Sequence, residues 1–213
     1  MSAQVVDEGD QRSITSAFAR LWGWTQAYAA HPDPLAQVSN WVALTIGSHL
    51  PIWPLYIVFS AGAQAWPSAL LTSALAPVFC AIPLLSRRHN LWARVATPLA
   101  GLANTVFTIW VLGINSGTEV FLVPCTVLAA QSFRWHERWL MLVLSGAPLV
   151  VWFWLQNHAP VPLHHYDPAA AHNLIELNVI SIGILLALFG WFQIEVYRRM
   201  EAGRSETRSA AGG

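Results

Sequence analysis

Lysine is absent from the 213 residues, and charge of either sign is sparse: eleven arginines stand against eleven acidic residues, together 10% of the chain. A soluble domain normally carries about a quarter charged residues, so this scarcity excludes an ordinary water-facing surface. The formal net charge is zero. That excludes a nucleic-acid partner, because a phosphate backbone is held mainly by clustered cationic side chains. Cysteine is nearly missing as well. Cys80 and Cys125 both fall in apolar runs, with no CxxC and no zinc-type Cys/His spacing, and they read as small buried apolar residues. The segment from Met1 to Gln11 is acidic and polar and lacks the basic start and apolar stretch of a cleavable signal peptide. The first hydrophobic helix must then act as its own insertion signal. Enzyme signatures are also lacking: there is no Gly-x-Ser-x-Gly, no Walker loop and no CxxCH. His136-Glu137 begins like a zinc-protease motif, but Leu140 stands where the second histidine is required.

Hydrophobic residues, by contrast, make up 55% of the chain. Crossing a hydrocarbon core of about 30 Å takes about 20 mostly apolar residues. Five stretches qualify, near Ser39 to Gly62, Trp66 to Leu85, Trp92 to Ile114, Trp139 to Asn157 and Asn173 to Tyr197. A sixth, Thr118 to Phe133, is shorter and is bounded by Glu119 and Arg134; local thinning of the bilayer accommodates a short span. The expected fold is therefore an all-α polytopic membrane protein of six transmembrane helices. Ahead of them, Ile14 to Ala30 places Ile14, Phe18, Leu21, Trp22, Thr25 and Tyr28 at helical spacing, which predicts an amphipathic interfacial helix. His31-Pro32-Asp33-Pro34 ends it. The organisation is then a cytoplasmic tail with its amphipathic helix over 1–35, a six-helix bundle over 36–199 and a second cytoplasmic tail over 200–213, whose last residues from Arg204 are expected to be disordered.

The arginines fix an orientation. Arg12, Arg20, Arg87, Arg88, Arg94, Arg134, Arg138, Arg198, Arg199, Arg204 and Arg208 all fall on or near one side if six spans start from an inside N-terminus. The positive-inside rule makes that side cytoplasmic, and both termini lie there. Removing the fourth span would put the Arg134–Arg138 cluster or the C-terminal arginines outside. The opposite side holds the turns at 63–65 and 115–117 and the long loop 158–172, with histidines and acids but no arginine.

Polar groups within lipid are costly and mark candidate sites. His49, within Gly47-Ser48-His49-Leu50-Pro51, is a candidate ligand or proton-relay residue on a helix that Pro51 and Pro54 should kink. Asn104, Thr105 and Thr108 lie a turn apart on the third span and either line a cavity or bond to neighbouring helices. Asn115, Glu119, and Glu176 with Asn173, are placed to crown the same cavity at its outer end; helix N-termini also suit both glutamates. In the outer loop, His158, His164, His165 and His172 with Asp167 offer a donor set for Zn, Cu or Ni, although adjacent His164 and His165 point apart in an extended segment. A hydrated or pH-sensitive loop is the alternative. No pattern names a cofactor.

The layout resembles the six-helix membrane modules at the N-terminus of bacterial adenylate cyclases, diguanylate cyclases and sensor histidine kinases. The likeness rests on a tight glycine-rich turn from Leu112 to Leu122, on a proline-rich loop leading to Asn173-Leu174-Ile175-Glu176-Leu177-Asn178, and on Glu195 to Glu206, which looks like the start of a signalling helix. In those proteins a catalytic output domain follows, whereas this chain ends at Gly213. The resemblance thus implies sensing rather than catalysis: a receptor or regulatory module for a small or lipophilic signal, relayed through the last helix. Its partners would be the lipid bilayer and either a second copy or a signalling protein. Gly183, Ala187 and Gly190 are spaced for close approach in a homodimer. An accessory subunit of a larger membrane complex, anchored by the twelve tryptophans, and a metal- or proton-handling transporter or enzyme are the alternatives.

Overall fold

The computed structural model describes the backbone of residues 4–158, 160–163 and 166–211, and their side chains except those of 4–14, 115, 199 and 202–211. The described chain is helical, in nine α-helices joined by short turns and, between the last two, a longer loop. They are α1 (Gln4–Ala29), α2 (Pro34–His49), α3 (Trp53–Ala61), α4 (Trp66–Leu71), α5 (Ala76–Ser86), α6 (Asn90–Leu112), α7 (Leu122–Gln131), α8 (Arg138–Asn157) and α9 (Pro168–Ala211). His164 and His165 lie outside the described residues.

Local chemistry explains the boundaries. Asp33 caps α2, its carboxylate accepting the Leu35 N–H at 3.0 Å, and Pro34 follows in the first turn, where a missing N–H costs nothing. At the other end Pro51 supplies no donor to continue the ladder, and the chain bends by 43° between α2 and α3. The expected kink falls at these prolines. Gly62, Gly113 and Gly117 take positive φ and turn the chain at one end of the bundle.

Four helices are long and apolar enough to cross a membrane: Ala63–Ser86, Asn90–Leu112, Trp135–Asn157 and Pro168–Arg198. The bent pair α2 and α3 makes a fifth if it counts as one span. Thr118–Gln131 falls short: four residues of 3-10 helix and ten of α-helix cover about 23 Å. At its start the structure departs from expectation, since α1 begins within the acidic segment, at Gln4. The tail departs too. The segment expected to be disordered is instead helix, α9 running on to Ala211, because Glu, Arg and Ala favour helix and Glu195 pairs with Arg198 one turn on. At 44 residues α9 is about 66 Å long, more than twice a hydrocarbon core.

The two ends of the bundle differ in charge. At the arginine end, Arg94 is buried and donates from Nη1 and Nη2 to the Glu137 carboxylate at 2.6 and 2.7 Å, and from Nη1 to the Ser132 carbonyl at 3.1 Å. Glu137 also accepts the Arg134 backbone N–H at 2.9 Å, while the Arg134 side chain pairs with Asp33 at 3.1 Å. His31 accepts the Asp33 N–H at Nδ1, so its Nε2 carries the proton and donates to the Ser86 carbonyl at 3.1 Å. These bonds tie α2, α5, α6 and the turn before α8. Truncating one member of such a buried pair typically costs about 3–5 kcal/mol. At the opposite, loop end, Trp53, Ile57, Val111, Leu112 and Leu174 pack together.

Lipid would see much of the remaining surface. Val143, Val150 and Phe153 of α8 are exposed, and only Pro148 and Leu155 of that helix are buried. Cys125 is buried as expected, but Cys80 is exposed on α5. On a membrane helix an apolar residue is as well accommodated by lipid as by the core, so apolar context does not decide burial. Gly47 lets α2 approach α5: a Cβ there would lie 2.9 Å from the Cys80 sulfur and 3.1 Å from Phe79 Cβ.

Candidate functional site

A partly open cavity of about 350 Å³ runs between α2, α6, α7 and α9. Pockets that hold small ligands have volumes of about 300–1,000 Å³. His49, Asn104 and Thr108, three of the residues selected from the sequence, line it together. Thr45, Ser48, Thr105, Thr118, Asn178 and Ser181 complete its polar part. The apolar part is formed by Ile46, Phe79, Leu128, Leu185 and Phe189, with Trp53 and Phe121 beside it, their rings edge to face at 6.2 Å.

Each helix delivers its side chains for a local reason. His49 is the last residue of α2, at the proline break, where its ring stacks on Tyr56 at 5.9 Å and approaches Trp53 at 5.9 Å; it stays exposed rather than enclosed. Asn104, Thr105 and Thr108 follow helical spacing on α6, and Gly101, one turn before Thr105, accepts the Thr105 hydroxyl at 2.9 Å. Thr118 begins the short helical segment after Gly117, and its hydroxyl lies 2.7 Å from that of Ser116.

Asn178 is the residue that sequence reasoning left out of the site. It is 2% exposed, and its Nδ2 donates to the Ser116 carbonyl at 2.8 Å. That bond joins α9 to the glycine turn, and it also settles which way the amide faces, since a carbonyl accepts only from the nitrogen. Asn178 Oδ1 and Asn104 Oδ1 are both buried without a partner among the described residues. An asparagine within the apolar run of a span, near its outer start, was the available signal.

The turn itself is sterically closed. A Cβ on Gly117 would meet Ile175 Cγ1 at 2.8 Å and Ile175 Cα at 3.2 Å, and one on Gly113 would meet Pro162 at 2.9 Å. Leu163 adds a backbone bond to the Val111 carbonyl at 3.1 Å. The glycine turn therefore lies against both the long loop and the start of α9.

The other predicted residues lie elsewhere. Glu119 is half-buried next to Thr118, with Oε2 buried and without a partner among the described residues, but it does not line the cavity. Asn115 has its backbone in the 3-10 turn Ile114–Ser116; its side chain is outside the description. Glu176 is exposed and pairs with His172 at 3.2 Å along α9. His158 stacks on Trp154 at 5.1 Å and bonds the Trp154 carbonyl through Nδ1 at 3.0 Å. Among the described residues no three His, Cys, Asp or Glu side chains come together as metal ligands, and the candidate pair His164 and His165 lies outside them. In the same loop Tyr166 is held by Ser68, and burial pushes its phenol up against the lowering effect of that bond.

No curated protein matches the chain. The MASE7 family model matches residues 26–204, a stretch that takes in α2 to α8, the last turn of α1 and most of α9. MASE families are membrane-associated sensory domains found in cyclases and kinases. With an all-helical bundle, apolar helices of spanning length and an internal cavity already in view, the chain belongs to the MASE7 family.

Proposed function

We propose that the chain is a sensory module of a bacterial inner membrane, in which the internal cavity takes a small lipophilic signal and α9 carries the response out of the bundle. The observation that carries this reading is the shared wall. Asn178, Ser181, Leu185 and Phe189 of α9 border the cavity, so an occupant presses on the one helix that extends far past the membrane. A ligand shifts a conformational equilibrium only by its differential affinity for the two states. Here the states would be two positions of α9 against the glycine turn.

In the bilayer this reading has six spans. The bent pair α2 and α3 is the first, the short segment Thr118–Gln131 the fourth, and both termini lie in the cytoplasm. The unit over 36–199 is the bundle, and α1 lies along the inner interface with Phe18 and Trp24 exposed to lipid. The outward face of α9 supports a dimer. Gly183, Ala187 and Gly190 lie exposed there between Ile184, Trp191 and Ile194, and a Cβ on either glycine meets nothing within 4 Å.

Disulfide crosslinking in native membranes tests the relay. Single cysteines replacing Gly183, Ala187 and Gly190 should crosslink two copies. Leu188 of α9 also lines the cavity, and filling it by Leu188→Trp should change the yield at least twofold, because a bulky side chain stands in for the signal. A chain that never crosslinks along this face, or crosslinks identically with the cavity filled, defeats the relay.

A further inference from the structure

The cavity is asymmetric in a way that describes its occupant. Its loop end gathers Asn104, Thr108, Thr118 and Asn178; toward the arginine end it is walled by Phe79, Leu128, Leu185 and Phe189. The direction follows from the fold: Asn178 is bonded to the loop-end turn, while Leu128 and Phe189 belong to a cluster with Val38, Val42 and Val196 near the arginines. The loop end carries the two amides, beside the rings of Trp53 and Phe121, and the other end is hydrocarbon.

The polar end offers two unpaired acceptors together with the Asn104 amide N–H and the Thr108 hydroxyl. The hydroxyls of Thr45, Ser48, Thr105 and Ser181 donate to carbonyls of their own helices, at 2.8–3.0 Å, with the lining side-chain amide of Asn178 engaged at Ser116. Two buried amide oxygens, on Asn104 and Asn178, stay without a donor. A buried acceptor left unpaired costs free energy that an arriving donor removes. No Asp, Glu or Arg lines the cavity among the described residues. An ionised head would be desolvated there without a counter-charge. At about 30 Å³ for a water-sized group, 350 Å³ holds roughly a dozen non-hydrogen atoms.

We propose that the cavity binds an uncharged single-chain amphiphile of this size, its hydrogen-bond donor held at the loop end by Asn104 and Asn178 and its tail directed toward Leu128 and Phe189. The inference rests on the reading of the cavity as the signal site and adds the chemical class of the signal.

Decanamide, with twelve non-hydrogen atoms, is a suitable probe. Its radiolabelled form is titrated by scintillation proximity against the full chain in phosphatidylcholine nanodiscs at pH 7.5. Decanoate, N,N-dimethyldecanamide and decane serve as competitors that carry a charge, no donor, or no head at all. Saturable one-to-one binding is expected, with each competitor at least tenfold weaker than unlabelled decanamide, since a site that bonds a donor rejects analogues lacking it. Asn104 makes no bond that holds the fold, so Asn104→Leu should reduce the preference for decanamide over its dimethyl analogue to less than threefold. The competitor series on the unaltered chain decides the matter even where that variant fails to fold. Equal competition by all four probes, or preference for decanoate, overturns the assigned class while leaving the cavity a binding site. Absence of saturable decanamide binding overturns the class and the signal-site reading together.

Discussion

Asp33 caps α2 and also faces Asn90 and Arg134, so one carboxylate joins the chain before α2 to α6 and to the turn preceding α8. Burial pushes its carboxyl up. The hydrogen bond from Asn90, the charges of Arg134 and Arg94 and the Leu35 N–H outweigh burial and hold it below the usual carboxylate range. A depressed folded value means that the contribution is complete above the unfolded value, about 3.9, and is lost as pH falls through the lower folded value. The melting temperature of the chain in detergent should therefore be insensitive to this group from pH 7 to about 5 and fall below about pH 4. Asp33→Asn should lower melting at pH 7 and make the acid decline shallower. Parallel acid declines in the two proteins would show that Asp33 is not the group responsible. The same residue shows what a sequence leaves unread. The prolines around Asp33 mark where the first helix ends, but the cap that Asp33 makes on α2 and its long-range partners Asn90 and Arg134, 57 and about a hundred residues away along the chain, appear only once the helices pack. Arg94 behaves likewise: it reads as a topology marker, and folding makes it the buried partner of Glu137.

At the scale of elements, helix existence was legible because apolar run length and proline position act locally. The break after His49 and the extents of α6 and α8 follow from them. The cavity was legible only in part. His49, Asn104 and Thr108 stood out as polar residues in apolar runs, whereas Glu176 chose a neighbour on its own helix, a competition that spacing alone does not resolve. Asn178 escaped because its role depends on where α9 meets the glycine turn. That contact makes Gly117 a sensitive position. Its φ of 72° strains any side chain, and a Cβ would sit 3.2 Å from the Ile175 backbone, which cannot rotate away. Gly117→Ala should destabilise the fold by about 1–3 kcal/mol, read as a lowered melting temperature. Gly146 on α8 is the control: a Cβ there meets nothing within 4 Å, and Gly146→Ala should be neutral or slightly stabilising. Equal effects at the two positions would refute the closed turn.

For the whole molecule, the short segment Thr118–Gln131 decides the topology. If it crosses, the turns at 87–89 and 132–137 share one side and the loop 158–167 lies on the other. If it does not, the stretch 132–137 moves outside with Arg134, and the loop 158–167 moves inside. Packing favours crossing. Arg94 at the start of α6 reaches Ser132 and Glu137, and Asp33 before α2 reaches Arg134, so the end of α7 sits beside two helix starts at the arginine end. A segment that turned back in the outer leaflet would leave that end unreached. Bilayer thinning around a span of about 23 Å costs only fractions of a kcal/mol per Å, while arginines are strongly retained on the cytoplasmic side. Cysteines replacing the exposed residues Gln64, His89, His136 and Val161 report the arrangement, with the parent chain as the blank for Cys80 and Cys125. In right-side-out membrane vesicles, an impermeant maleimide should label Gln64→Cys and Val161→Cys directly and His89→Cys and His136→Cys only after permeabilisation. Direct labelling of His136→Cys with protection of Val161→Cys would give a five-span bundle, remove the common cytoplasmic side of the arginines, and carry the end of α9 to the opposite face of the membrane.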